Sequence, residues 1–242
     1  CYECCQSAPK ERRELNLRPF GAGLLSGESA SPSLLALVLL VLSTVTYDGF
    51  TSTPLWAHLV GALYTAFEFL GAQAITGIKT LGLVAFPLIF LAVYLSFSVL
   101  MAAATGHPEQ WRSFARAFVF SLIPIALAYH MAHFLSYLLI QGQLVIPLAS
   151  DPFGWGWNLL GTAGYKVNIA IVNAKFAWFT AVMVIVLGHI IAVYVAHVVA
   201  MRTLGERRAA LRSQYPMLAL MVGYTMVSLW IIAQPIVEVA KR

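Results

Sequence analysis

Apolar stretches near or above the ~18 residues that read as a bilayer span recur along the chain, with only short polar segments between them. The pattern predicts spans at about 32–47, 78–104, 114–146, 171–201 and 215–239, the longer ones tilted or extending past the hydrocarbon. Pro32 falls in the first turn of the first span, where a missing N–H costs little, and that span is expected to exit at Asp48-Gly49. Pro87, Pro124 and Pro235, inside later spans, predict kinks. The stretch 55–71 differs. His58, Thr65 and Glu68 fall at helical spacing on one side of an otherwise apolar helix, which suits an interfacial or re-entrant element. The expected fold class is therefore an all-α integral membrane protein with about five transmembrane helices plus one interfacial or re-entrant helix. They occupy 31–242, after a cytoplasmic cysteine-containing segment and linker at 1–30 that ends in a Gly- and Ser-rich run.

Composition agrees. Of the 242 residues, 60% are hydrophobic and 10% charged, against roughly 25% charged in an ordinary soluble domain, which excludes a water-soluble globule. Charge then tests the count of spans. Five spans put Lys10, Arg12, Arg13, Arg18, Arg112, Arg116, Arg202, Arg207, Arg208 and Arg212 on one side, and Lys79, Lys166, Lys175, Lys241 and Arg242 on the other. A sixth span at 55–71 re-sorts this ten-to-five split to nine-to-six, a weaker positive-inside asymmetry. The reading is five spans with the N-terminus cytoplasmic, in a membrane such as the bacterial inner membrane, with lipid and further subunits as partners. The basic residues cluster between apolar runs as in cytoplasmic loops, so nucleic acid is not an expected partner. The outward loop 141–168 carries Phe153, Trp155 and Trp157, either as an aromatic belt at headgroup level or as a lid or docking loop.

Cys1, Cys4 and Cys5 are the only cysteines, so disulfides do not hold the apolar bulk together, and their crowding points to metal chemistry. The chain opens on Cys1 rather than methionine, which reads as a processed or incomplete chain. The run Cys1-Tyr2-Glu3-Cys4-Cys5-Gln6-Ser7-Ala8-Pro9 resembles the end of the bacterial ferredoxin pattern C-x2-C-x2-C-x3-C-P. Cys1, Cys4 and Pro9 align with its second cysteine, third cysteine and proline, while Ala8 stands where the fourth cysteine belongs. The basic stretch from Arg13 to Pro19 is similar to the one following the last cluster in membrane-bound polyferredoxins, and the likeness covers about residues 1–22. It implies a 4Fe-4S cluster with a degenerate ligand set, held by Cys1 and Cys4 with Cys5 as a substitute. Free or lipid-modified juxtamembrane cysteines are the alternative.

Ionisable side chains at membrane depth are functional candidates by default. Counted at ~1.5 Å per residue from the cytoplasmic edge, His130 lies about 24 Å deep, His133 about 28 Å, His189 about 20 Å and His197 about 8 Å. His130 and His189 come near one level, where two imidazoles supply the axial ligands of a b-type haem and Gly188 and Ala192 leave room for the macrocycle. His130, His133 and His189 also make a three-nitrogen set for zinc or copper. A proton or quinone site is a third reading. A fourth is that these histidines hydrogen-bond to Tyr129, Tyr137, Tyr194 or Gln141 and tie helices together. His58 and His107 are expected to be solvated. Lys79, Lys175 and Glu238 lie near span ends, where they snorkel to the interface.

The sequence contains no Walker loop, nucleophile elbow or zincin motif, and whether the chain is an enzyme stays open. Two expectations follow. One is a membrane-embedded electron-transfer subunit linking a cytoplasmic iron–sulfur module to haem or quinone. The other is a non-catalytic accessory or scaffold subunit of a larger membrane complex. A small transporter ranks behind both, because no inverted repeat is visible by inspection.

Overall fold

A computed structural model describes residues 21–25 and 29–234. The cysteine segment, Pro235 and Glu238, to which the sequence assigns roles, lie outside the described residues. All regular structure among the described residues is helical. Five helical stretches, at 32–51, 54–104, 108–150, 175–204 and 207–233, are long and apolar enough to cross a membrane.

The first helix, α1 (Pro32–Thr51), starts where Ser31 Oγ accepts the Leu34 N–H at 3.2 Å and Pro32 occupies the first turn. The helix itself runs a turn past Asp48-Gly49, where the span is expected to exit. Gly49 stays helical and buried, its bare Cα letting Ile231 and Tyr129 close in, and the helix ends only where Ser52 N–H donates back to Gly49 O. Helix α2 (Pro54–Phe67) follows, capped by Thr53. A 3₁₀ turn, Glu68–Gln73, then breaks at Gly71, whose φ of 54° and ψ of −126° side chains disfavour. Helix α3 (Ala74–Ala104) runs back along α1 and continues through Pro87. Trp56 at the start of α2 reaches Gly82 of α3, and Phe67 at its end reaches Gly77. Eleven residues of α2 thus advance past only five of α3, so α2 crosses α3 obliquely, gripping it through Trp56, Val60, Leu63 and Phe67.

The expected span 114–146 is several pieces: α4 (Trp111–Phe118), a 3₁₀ turn at Val119–Leu122, α5 (Ile123–Gln141), another at Gly142–Leu144, and α6 (Val145–Ser150). Pro124 causes the first break. It has no N–H for Phe120 O, and Ile123 N–H serves that carbonyl in the tighter pattern. Helix therefore reaches Ser150, and the loop expected at 141–168 is 151–173. Helices α7 (Ala174–Leu204) and α8 (Arg207–Ala233) finish the bundle. The last begins eight residues before the expected 215, because the first turns of α8 carry Arg207, Arg208 and Arg212, and it also contains Pro216.

Packing is closest between α5 and α7, where small residues bring the backbones together: Ala128 and Ala132 on one side, Ala181, Gly188 and Ala192 on the other. The larger core lies nearer the α1 N-terminus. There Phe114 and Phe118 stack with centroids 5.9 Å apart, and the buried Tyr94 hydroxyl donates to Ala115 O at 2.7 Å. Outward, leucine, isoleucine and phenylalanine stay exposed along α3 and α7, a surface compatible with bilayer contact.

The alternation of helices gives the bundle two ends. Among the described residues, the end with the α1 N-terminus gathers Arg112, Arg116, Arg202, Arg207, Arg208 and Arg212 against Glu109 and Glu206, a net +4. The other end carries Lys79, Lys166 and Lys175 against Asp48, Glu68 and Asp151, a net of zero.

Candidate functional site

The four candidate histidines each engage a definite partner. His133 Nε2, on α5, donates to Asp48 Oδ2 of α1 at 2.8 Å. His189 Nδ1 and Thr225 Oγ1, joining α7 to α8, are 3.0 Å apart. His197 Nδ1 lies 3.0 Å from Gln214 Oε1, again α7 to α8. His130 Nδ1 instead reaches Ala126 O of its own helix at 3.0 Å. A carbonyl and a carboxylate accept only, so these partners fix the protonated nitrogen as Nδ1 in His130 and His197 and as Nε2 in His133. His130 keeps Nε2 for any further partner.

Among the described residues, no three of His, Cys, Asp and Glu gather in a group that could hold a metal ion. The haem expectation called for room beside Gly188 and Ala192. That room is filled. Gly188 packs directly on α5, where an added Cβ would collide with Ala128 Cβ and come within 3.0 Å of Pro124 O, and Ala192 is fully buried. Gly188 lies opposite 124–128 of an antiparallel neighbour, so His189 and His130 are staggered by roughly a turn and a half along the pair. A macrocycle beside Gly188, between α5 and α7, does not fit this packing.

The structure assembles instead a polar cluster around His133, where α1, α5 and α8 meet. Asp48 is exposed at 61% and His133 less so at 19%. One turn below His133, Tyr129 is 1% exposed, and its hydroxyl has no hydrogen-bond partner among the described residues. It faces Gly49, where an added Cβ would sit 3.1 Å from Tyr129 Oη and 3.5 Å from His133 Cε1. The Tyr129 ring meets Tyr224 edge-on at 5.9 Å, and Tyr224 Oη lies 3.2 Å from Thr46 Oγ1. Polar groups thus run inward from an exposed carboxylate to the buried Tyr129 and the half-buried Tyr224, with no hydrogen bond joining Tyr129 to either neighbour. An unpartnered buried hydroxyl costs about 1–3 kcal/mol, which marks Tyr129 as the least satisfied polar group of the cluster.

Thr46 and Tyr224 also line a groove of about 530 Å³ between α1, α3 and α8, otherwise walled by apolar residues such as Leu39, Phe90, Phe97 and Trp230. On the 151–173 loop, Asp151 accepts the N–H groups of Trp155 and Gly156 at 2.9 and 2.7 Å, which packs Phe153, Trp155 and Trp157 into one aromatic knot. Gln143 pins the far side of that loop. Its Oε1 accepts from Tyr165 Oη and Asn168 N–H.

Asp48, Thr46, Tyr224, Thr225 and Gln214 are not singled out as site residues by the sequence, and none of Tyr129, Tyr137, Tyr194 and Gln141, the partners it does name, hydrogen-bonds a histidine among the described residues. Depth arithmetic contains one usable signal. Asp48 is sixteen residues into α1 and so about 24 Å deep, near the level of His133 on a helix running the same way. No family model, curated protein or solved structure matches this chain.

Proposed function

We propose that this chain is an integral membrane accessory subunit, a non-catalytic helical scaffold that packs within a larger membrane complex. The observation that carries the reading is that His133, His189 and His197 each bond a side chain on a neighbouring helix, the use expected of polar residues that tie a bundle together. Orientation with the N-terminus cytoplasmic is supported by the +4 charge at that end of the described bundle. An interfacial role for α2 is supported by its oblique course and by the exposure of most of its side chains, with only Trp56 buried and Val60, Leu63 and Phe67 half-buried against α3.

A second reading, the electron-transfer subunit, is favoured by the 530 Å³ groove. Its apolar walls and single hydroxyl pair suit a lipophilic quinone, and the volume falls within the range of small-molecule sites. Residues 1–20 would supply the iron–sulfur module. One experiment separates the two. Two double variants of the intact complex, His130→Ala with His189→Ala and, at the groove hydroxyls, Thr46→Val with Tyr224→Phe, are purified beside the parent, with iron, quinone and the 400–430 nm absorbance measured in all three. A scaffold keeps its assembly, shows the same spectrum and cofactor content as the parent, and unfolds at lower temperature. Loss of an absorbing or extractable cofactor from a still-folded variant overturns the scaffold reading.

A further inference from the structure

Six arginines crowd the end of the bundle at the α1 N-terminus, and three of them are occupied. Arg116 Nε donates to Ala30 O at 2.7 Å, Arg202 Nη1 donates to Leu25 O, and the Arg112 guanidinium lies over the Trp111 ring at 5.2 Å. Arg207, Arg208 and Arg212 are exposed, and none of them makes a hydrogen bond or an ion pair in the described structure. Glu206, the nearest acid in sequence, makes no ion pair with them.

Below these three cations is a crevice of about 140 Å³ between α7 and α8, mostly apolar, whose polar lining includes Gln214, the partner of His197. Val193 and Ala196 form one wall, and Leu211, Tyr215 and Leu218 the other. At about 100° per residue, 207, 211, 215 and 218 fall within about 80° on one face of α8, 208 borders that face, and 212 lies about 40° further round, where its long side chain has to reach back. Charge above and crevice below therefore form one continuous strip down the outside of the bundle. Tyr215, exposed at 70%, stands midway, where an amphipathic ring suits the boundary between headgroup and hydrocarbon. Uncompensated positive charge directly over a narrow, mostly apolar slot is the complement of one molecule: an anionic headgroup carrying acyl chains.

We propose that this strip binds an anionic phospholipid, with the phosphate held by Arg207, Arg208 and Arg212 and the upper acyl segment in the crevice beside Tyr215 and Leu218. The proposal rests on the membrane-embedded reading. The full chain in mild non-ionic detergent is titrated with phosphatidylglycerol, with phosphatidylcholine of identical acyl chains, and with inorganic phosphate, reading bound mass by native mass spectrometry and the unfolding temperature. Phosphatidylglycerol is expected to be retained and to raise the unfolding temperature, with phosphatidylcholine at least about tenfold weaker. The Arg207→Gln, Arg208→Gln, Arg212→Gln variant should lose that preference, and the corresponding triple lysine variant should keep most of it, since headgroup attraction here is chiefly charge. Equal response to both lipids, retained preference in the glutamine variant, an equal response to inorganic phosphate alone, or a second copy of the chain held at the crevice regardless of lipid would each overturn the proposal. Release of the chain from membranes by alkaline carbonate without detergent would instead remove the membrane-embedded reading itself.

Discussion

Gly188 and Gly223 carry the same missing side chain in opposite surroundings. Both sit inside long helices, where alanine gains roughly 0.5–1 kcal/mol over glycine in water. Against that gain, a Cβ at Gly188 must displace Ala128 and approach the Pro124 carbonyl, and overpacking of this kind costs about 1–3 kcal/mol. At Gly223 an added Cβ meets nothing within 4 Å. Gly188→Ala is therefore expected to lower the unfolding temperature in detergent, and Gly223→Ala to leave it unchanged or raise it. A stable Gly188→Ala variant would mean that α5 and α7 are not in backbone contact. Tyr129 poses the complementary case, a polar atom without a partner rather than a helix without space. Its neighbour Gly49 leaves the hydroxyl open on the side where any other residue would place a Cβ.

Between elements, the polar ties decide which helices are held and how tightly. Asp48 and His133 join α1 to α5, which otherwise meet through Val45, Tyr129 and Ala132. Hydrogen bonds inside helical membrane bundles average about 0.6 kcal/mol and reach about 1.7. A double-mutant cycle of Asp48→Ala and His133→Ala should give a coupling in that range, toward its lower end because Asp48 is largely exposed. Zero coupling would reduce the pair to a surface contact and weaken the scaffold reading with it. The break at 119–122 shows the same economy in the backbone. One proline removes one donor, the chain tightens for a turn, and α5 leaves on its own axis carrying Tyr129, His130 and His133.

For the whole molecule, charge asymmetry and alternation of helices fix a testable topology. With the arginine-rich end cytoplasmic, loop 151–173 and the turn between α1 and α2 face outward. In a background with Cys1, Cys4 and Cys5 changed to serine, Lys166→Cys should react with a membrane-impermeant maleimide in intact cells. Glu206→Cys should react only after permeabilisation. The reverse pattern would invert the assignment, and labelling of both in intact cells would remove the five-span arrangement. Exposed apolar side chains cover the flanks of α3 and α7, and burial among the described residues does not account for them.

Hydropathy and charge alone determined that the chain is helical, that it has five long apolar segments, and that cations collect at one end of the described bundle. These are properties of composition over windows of twenty residues, and no packing is needed to express them. Window averages misplaced what a few residues control. Arginines in the first turns of α8 hid its start. The tertiary structure decided what the intramembrane histidines touch. Whether Gly188 leaves a cavity or admits a neighbouring helix depends on the distance between two helices, and whether His133 finds His130, His189 or Asp48 depends on their relative rotation. Both are set by the sum of many weak contacts along whole helices, and that sum exists only once they are packed.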